Sequence, residues 1–256
     1  MVESQLIEDR FGHGFLWDNP LMLTPLFGRG HGPDAALTVL YVYEQTIGHR
    51  KKDYRARPSR ETDELLIRDE DRPAIYDAIR AGCMGHYDVR VRLHCLWMLC
   101  NDGVQTVDDM AVWLNDHSQE VRLAAGFQCQ ARRFPKASEN SMPVGEGLRA
   151  QAQMSADFAE VLVEHLDDPS LHVAVQCISS FMMVMIDGIA PMSIEELGAD
   201  DFWDDNWIYR SWHERVEGKE DVQQWWEAGG REAFIQAAIN AGRERERLSE
   251  SHVTAE

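Results

Sequence analysis

The sequence predicts an all-α protein assembled from helix pairs, and three observations support this class. A short phrase is repeated three times, beginning at Asp88, Ser118 and Asp168, and each copy places a helix-capping side chain before an apolar run. In the third copy Pro169 follows the cap, where a missing backbone N–H costs nothing. Apolar residues elsewhere recur at helical spacing, and no window alternates convincingly with the period of two that predicts a strand.

The spacing of the copies predicts one interruption. From 88 to 118 is 30 residues and from 118 to 168 is 50, so we expect an insertion of about 20 residues between the second and third copies. The prolines and glycines of residues 135–150 place the insertion there. Each predicted cap is followed four residues later by a polar side chain, which predicts one row of equivalent positions: Arg92, Arg122 and His172.

The cap, the following Val-Arg or its variant, and the Leu-Ala-Ala spacing of these copies resemble HEAT repeats, particularly the short units of about 30 residues. The resemblance covers about residues 72–186, and His172 and Val175 depart from its pattern. It implies a right-handed α-α superhelix, an armadillo-type solenoid of stacked antiparallel helix pairs with divergent helices at both ends. Proteins with such repeats usually bind partners, and a minority carry enzyme sites.

The segments around the repeats differ from them in composition. Asp34 is expected to cap a helix that ends near Ile47, and a short helix over Pro73–Ala81 is expected to end at Gly82. The predicted organisation is a Gly/Pro-rich lead-in at 1–33, a helix and basic loop at 34–71, repeats at 72–186, an acidic, Trp-rich helical cap at 187–248 and a frayed tail at 249–256.

The charge of the chain argues against a nucleic-acid ligand. With 44 acidic and 25 basic residues the formal net charge is −19, a field that repels phosphate and attracts a basic protein surface. The exception is the segment 48–60, where six basic residues against Asp53 give a local charge of +5. An RNA, phosphate or acidic-peptide contact is one interpretation of this segment, and a solvated loop is the favoured one.

The cysteines and the hydropathy pattern predict a cytoplasmic protein. The five cysteines form no C-x-x-C pair and are expected to be reduced thiols, four of them on apolar helix positions. Residues 1–10 are acidic and lack the positive start and apolar stretch of a secretion signal. The longest apolar run, 181–186, is too short to cross a membrane.

The sequence predicts no catalytic activity and no cofactor. None of the ten histidines belongs to an H-E-x-x-H motif, no G-x-S-x-G occurs, and no cysteine has a strongly basic neighbourhood. If a metal were bound, its candidate ligands would be His86, His94, His165 and His172. The competing hypothesis is a HEAT-like nucleic-acid-processing enzyme such as a DNA glycosylase, which the scarcity of cations disfavours.

The favoured function is therefore a non-catalytic protein-binding module, a scaffold, adaptor or inhibitor/immunity-like protein with a basic partner. Residues 195–221 carry ten acids and three bases, and five of the eight tryptophans lie between 203 and 226. Such a segment can form a binding surface, although a cap whose indoles cover the end of the array is slightly favoured. The predicted partner-binding residues come from this segment and from the second helices: Arg90, His94, Gln128, Trp203, Asp204, Asp205 and Trp207.

Overall fold

The computed structural model describes residues 20–52, 67, 70–129, 144–189 and 218–253, and all regular elements in these ranges are helical. This confirms the all-α class. No helix in the described ranges is long and apolar enough to span a membrane. The helices are α1 Pro33–Lys52, α2 Arg72–Cys83, α3 Val89–Asp102, α4 Val107–Leu114, α5 Gln119–Cys129, α6 Val144–Val163, α7 Leu171–Ile189, α8 Lys219–Trp225 and α9 Arg231–Val253.

The N-terminal unit, Met1–Val104, contains α1, α2 and α3. Both α1 and α2 pack against α3, and the short 3-10 turn Thr24–Phe27 packs against α1 and α2. Polar contacts fasten α2 to the end of α3, because Tyr76 Oη donates to Asp102 Oδ2 at 2.9 Å and Arg80 Nη2 donates to the Val104 carbonyl at 2.6 Å. The fully buried side chains of this unit include Leu40, Tyr43, Ile75, Ile79, Leu96 and Leu99.

Two predicted helix boundaries in this unit are wrong. α1 starts at Pro33, so Asp34 lies in its first turn, and it runs to Lys52, so the first part of the predicted basic loop is helical. Pro33 suits the first helical position, and Gly48 weakens a helix by only about 1 kcal/mol. α2 continues through Gly82 to Cys83, so this glycine does not end the helix. It allows the Phe27 side chain to pack closely against α2, because a Cβ at position 82 would lie only 2.5 Å from the Phe27 Cβ.

The C-terminal unit, Gln105–Glu256, contains α4 to α9. Two helix pairs form within this unit: α4 packs on α5, and α6 packs on α7. The pairs also contact each other, α4 with α6 and α5 with α7. The last helix, α9, packs on α6 and α7, and Trp226 closes this core with its ring edge-on to Phe181 at 5.5 Å. Trp226 is buried.

The predicted insertion and tail are both shorter than expected where the structure describes them. α6 begins at Val144, so residues 144–150 are helical, and residues 130–143 lie outside the described ranges. α7 extends through Gly188 to Ile189, and α9 extends to Val253, so residues 249–253 of the predicted tail are helical. Each helix continues past its weak residues because an apolar face packed on a neighbour offsets a local propensity cost of about 1 kcal/mol.

Candidate functional site

The same turn precedes α3, α5 and α7. In each case the backbone N–H of the residue before the helix donates to a side chain two residues earlier, which fixes the entry of the chain into the helix. The three hydrogen bonds are Asp88 N to His86 Nδ1 at 3.0 Å, Ser118 N to Asp116 Oδ1 at 2.7 Å and Ser170 N to Asp168 Oδ1 at 2.7 Å.

This turn corrects the register of the third copy. The residue equivalent to Asp88 and Ser118 is Ser170, so the row that contains Arg92 and Arg122 continues at Ala174 and does not include His172. His172 is an exposed residue in the first turn of α7. The sequence analysis chose the wrong cap for α7 because Asp and Ser are both good helix caps. The Asp-x-Ser spacing of 168–170 is the same as that of 116–118, and this similarity identifies Ser170 as the equivalent of Ser118.

The two arginines of the row make structural contacts. Arg92 Nη1 donates to the His86 carbonyl at 2.6 Å, and Arg122 Nη1 donates to the Asp116 carbonyl at 2.9 Å, in both cases six residues back. Arg122 also donates from Nε and Nη2 to the Asp168 carboxylate at 2.7 and 3.2 Å. Arg92 is buried and the Arg122 side chain is 14% exposed, so both guanidiniums hold the fold and offer little to a partner.

A different row of side chains is exposed. Tyr41, Trp97 and Phe127 are each the ninth residue of their helix, in α1, α3 and α5, and their exposed fractions are 47%, 39% and 49%. On α7 the same position is Ser179, which is buried. An exposed aromatic ring is suited to contact with a partner, since such a ring buries much apolar area when a partner covers it. The sequence analysis missed this row.

In the N-terminal unit, two of these aromatic residues lie on helices that contact each other through polar side chains. Arg90 Nη2 of α3 lies 3.5 Å from Asp34 Oδ1 of α1, and His94 Nε2 lies 3.2 Å from Glu44 Oε2. Along each helix the Asp34–Arg90 contact comes before the Glu44–His94 contact, so α1 and α3 run in the same direction. Because residues three, four and seven apart share a helix face, we define one surface, the α1/α3 face: Asp34, Tyr41, Glu44, Arg90, His94 and Trp97.

The charges of the α1/α3 face are unevenly distributed. Both carboxylates, Asp34 and Glu44, belong to α1 beside Tyr41, while α3 supplies Arg90 and His94. Arg90 also forms an ion pair with Asp88, because its Nη2 lies 2.9 Å from Asp88 Oδ2. The hydrogen bond from Arg90 lowers the pKa of Asp88 from 3.8 to about 2, and the same contact raises the pKa of Arg90. The α1 side of the face is therefore the part suited to a cation.

The structure describes three of the seven predicted partner-binding residues. Arg90 and His94 are brought together on the α1/α3 face. Gln128 is 5% exposed, so its side chain lies in the interior, and this part of the prediction does not fit. α5 instead exposes the neighbouring Phe127, which lies about 100° away around the helix. The other four predicted residues lie outside the described ranges: Trp203, Asp204, Asp205 and Trp207.

The histidines considered as metal ligands have separate environments. His86 is buried and accepts from Asp88 N, and His94 contacts Glu44. His165 Nδ1 donates to the Val161 carbonyl at 2.8 Å. Within the part of the chain that the structure describes, no three His, Cys, Asp or Glu side chains group in a way that could hold a metal ion.

Comparison of the chain with protein-family models, with curated proteins and with solved structures finds no match.

Proposed function

We propose that the chain is a HEAT-like repeat protein, a right-handed α-α solenoid that acts as a non-catalytic protein-binding module, and that the α1/α3 face is part of its contact surface. Two features support the repeat assignment. One is the turn shared by α3, α5 and α7. The other is the packing of α4–α5 on α6–α7, with first helix against first and second against second. Such stacking is typical of solenoid repeats.

The observation that carries the proposed function is the exposure of Tyr41 and Trp97 on two packed helices, α1 and α3, whose side chains also make polar contacts with each other. Tyr41 is 47% and Trp97 39% exposed, while Glu44 and His94 join their helices at 3.2 Å. Large aromatic rings bind at a low entropic cost, because few side-chain rotations are lost on contact. This is the arrangement expected of a docking surface rather than of a core.

A basic protein is the proposed partner. The net charge of −19 attracts cationic surfaces, and the carboxylates of Asp34 and Glu44 provide local acceptors on the α1/α3 face. The acidic segment at 203–207 remains in the proposal on sequence grounds, with Trp203, Asp204, Asp205 and Trp207 as its contact residues. The cytoplasm is the proposed location, supported by five buried cysteines without a disulfide.

The test is a native pull-down at low and high salt, read by mass spectrometry and run beside a duplex-DNA binding assay. We expect wild type to retain a basic protein whose recovery falls as salt rises. The Tyr41→Ala/Trp97→Ala double variant should lose that protein, while Val112→Ala, which alters an exposed side chain on α4, should keep it. Recovery of nucleic acid with no protein, or equal recovery by all three proteins, would overturn the proposal.

A further inference from the structure

The turn before α3 differs from the turns before α5 and α7 in the side chain that accepts its hydrogen bond. At positions 116 and 168 the acceptor is an aspartate, whereas at position 86 it is a histidine, whose Nδ1 lies 3.0 Å from Asp88 N. A backbone N–H can only donate, so His86 Nδ1 accepts and carries no proton, and the neutral ring has its proton on Nε2. This hydrogen bond and a proton on Nδ1 therefore exclude each other.

The surroundings of this histidine oppose a positive charge. His86 is buried, as is the Asp116 side chain at the equivalent position. Arg92 Nη1 donates to the His86 carbonyl at 2.6 Å, just as Arg122 Nη1 donates to the Asp116 carbonyl at 2.9 Å. The residue that binds Arg122 carries a carboxylate, whereas a protonated His86 would add a second cation beside the buried Arg92. Burial and a nearby like charge both disfavour the charged form of a side chain.

The charged groups of α1 and α3 near this turn contact one another. Arg90 Nη2 lies 2.9 Å from Asp88 Oδ2 and 3.5 Å from Asp34 Oδ1, so the carboxylate beside the turn already has a cationic partner. One turn farther along α3, His94 Nε2 lies 3.2 Å from Glu44 Oε2 of α1. A proton on His94 preserves that contact, because a protonated ring still donates to a carboxylate. Proton uptake at His94 and at position 86 therefore affects α3 in opposite directions.

Helix α2 and the neighbouring aromatic ring complete the surroundings. Arg80 of α2 lies 3.2 Å from Asp77 Oδ1 and donates to the Val104 carbonyl, which follows the other end of α3. The ring of Tyr87 stacks on the His86 ring with their centroids 4.4 Å apart. Stacking on a neighbour and the hydrogen bond to the backbone together fix the orientation of the imidazole.

We propose that the turn at residues 86–88 is a pH-sensitive contact, closed by the neutral His86 ring and opened when Nδ1 binds a proton. An ordinary histidine takes up a proton near pH 6.5 and an aspartate near pH 3.9, so this turn opens on mild acidification while the turns at 116 and 168 stay closed. The stabilisation by this turn is fully present above about pH 6.5 and falls as the pH falls. Because α3 begins at this turn and supplies Arg90, His94 and Trp97, the α1/α3 face loosens with it.

Amide hydrogen exchange of the full-length protein, measured by NMR and corrected for the intrinsic pH dependence of exchange, follows the turn directly. The amides to compare are those of Asp88, which donates to the ring, and Arg92, which donates to the Asp88 carbonyl. A closed turn that excludes the proton from a group titrating at about 6.5 predicts about tenfold less protection at pH 5.5 than at pH 7.5. The amides of Ser118 and Arg122 are the control in the same sample, and their protection should not change.

Two exchanges of side chain between the turns provide matched variants. His86→Asp introduces the acceptor found at 116 and should remove the pH dependence of Asp88 protection. Asp116→His should transfer it, with about tenfold less protection of the Ser118 amide at pH 5.5 than at pH 7.5. Circular dichroism checks that both variants keep their helices.

The imidazole nitrogen chemical shifts of wild type provide a readout that needs no variant, and they should place the proton of His86 on Nε2 at pH 7.5. A proton on Nδ1 at that pH, or equal protection of Asp88 at both pH values, would overturn the inference. It would also be overturned by a pH dependence that survives in a folded His86→Asp variant. If that variant does not fold, the wild-type exchange and nitrogen shifts still decide.

Discussion

Arg122 holds the carboxylate of Asp168 with two hydrogen bonds, from Nε at 2.7 Å and from Nη2 at 3.2 Å. The two side chains are 14% and 4% exposed, so the pair is largely removed from water. Asp168 also accepts from Ser170 N at 2.7 Å, so one carboxylate orients the start of α7 and fastens α5 to it. We expect loss of the Arg122–Asp168 contact to lower the stability of the protein more than loss of any other polar contact between these helix pairs.

Asp168→Asn should destabilise the protein by about 3 kcal/mol. The amide oxygen still accepts from Ser170 N, but the Arg122 guanidinium loses its countercharge in a buried position. Urea unfolding measures the change. Adding Arg122→Met should recover part of the loss, because the uncompensated charge is then gone. A single variant as stable as wild type would show that the pair contributes nothing.

A charge inside α5 should unfold the C-terminal unit. Val121 and Ala125 are fully buried, and an unpaired carboxylate there costs several kcal/mol, comparable with the roughly 5–15 kcal/mol that stabilises a domain. We expect Val121→Asp or Ala125→Asp to lose helical circular dichroism. Phe127→Asp changes a residue of the same helix that is 49% exposed and should stay folded. Equal behaviour of the buried and exposed variants would contradict the assigned face.

The buried thiols should be unreactive until the protein unfolds. Burial raises the pKa of Cys83 and of Cys177 from 9.0 to about 12, and all five cysteines are buried and form no disulfide. Since the thiolate is the reactive form, a thiol reagent at pH 8 should label the native protein slowly and label five groups rapidly in denaturant. Rapid labelling of Cys83 or Cys177 in the native state would contradict their burial.

The same pKa shifts predict a loss of stability at alkaline pH. A thiol whose pKa is raised in the folded state stays protonated there, while the unfolded chain ionises above about 9. The free energy of unfolding should therefore be unaffected by these thiols below pH 9 and should fall as pH rises toward 12. Urea unfolding at several pH values gives the slope, and Cys83→Ala should reduce it. A stability that rises over this range would oppose the assignment.

If the acidic, Trp-rich segment contacts the partner, its tryptophans should matter more than its charges. Trp203→Ala or Trp207→Ala should weaken partner binding by about 2 kcal/mol, roughly 30-fold, because indoles dominate contact energies. Asp204→Asn should mainly slow association and reduce its salt dependence. Stopped-flow kinetics and equilibrium titration separate these effects. Unchanged affinity in both tryptophan variants would assign them to the cap.

Local signals are sufficient where a helix boundary depends on its own residues, as at the predicted starts after Asp88 and Ser118. The helix Val107–Leu114 starts after Thr106, because Thr106 and Asp109 form a reciprocal cap, with Asp109 N donating to Thr106 Oγ1 at 3.1 Å and Thr106 N donating to Asp109 Oδ2 at 2.9 Å. The end of α2 could not be predicted in this way, since Gly82 is required by its contact with Phe27, far away in the sequence. A glycine in a close packing contact and a glycine that ends a helix are indistinguishable in the sequence.

The candidate site was predicted less well than the fold. Arg90 and His94 were identified from their place on a second helix, but the burial of Gln128 depends on how α5 rotates against α4 and α7. The common position of Tyr41, Trp97 and Phe127 becomes visible only when each helix start is known to the residue. Asp34 was taken as the cap of α1, which implies a start at position 35, whereas the helix begins two residues earlier, at Pro33.

Site-specific photo-crosslinking tests the central claim most directly. A photo-reactive amino acid at position 97, on the α1/α3 face, is compared in native lysate with the same amino acid at position 112, an exposed site on α4. We predict that irradiation joins position 97, and not position 112, to a basic protein, and that the Tyr41→Ala background reduces the yield. Crosslinks of equal yield from both positions, or crosslinks from position 97 to nucleic acid alone, would contradict the claim that this face binds a protein.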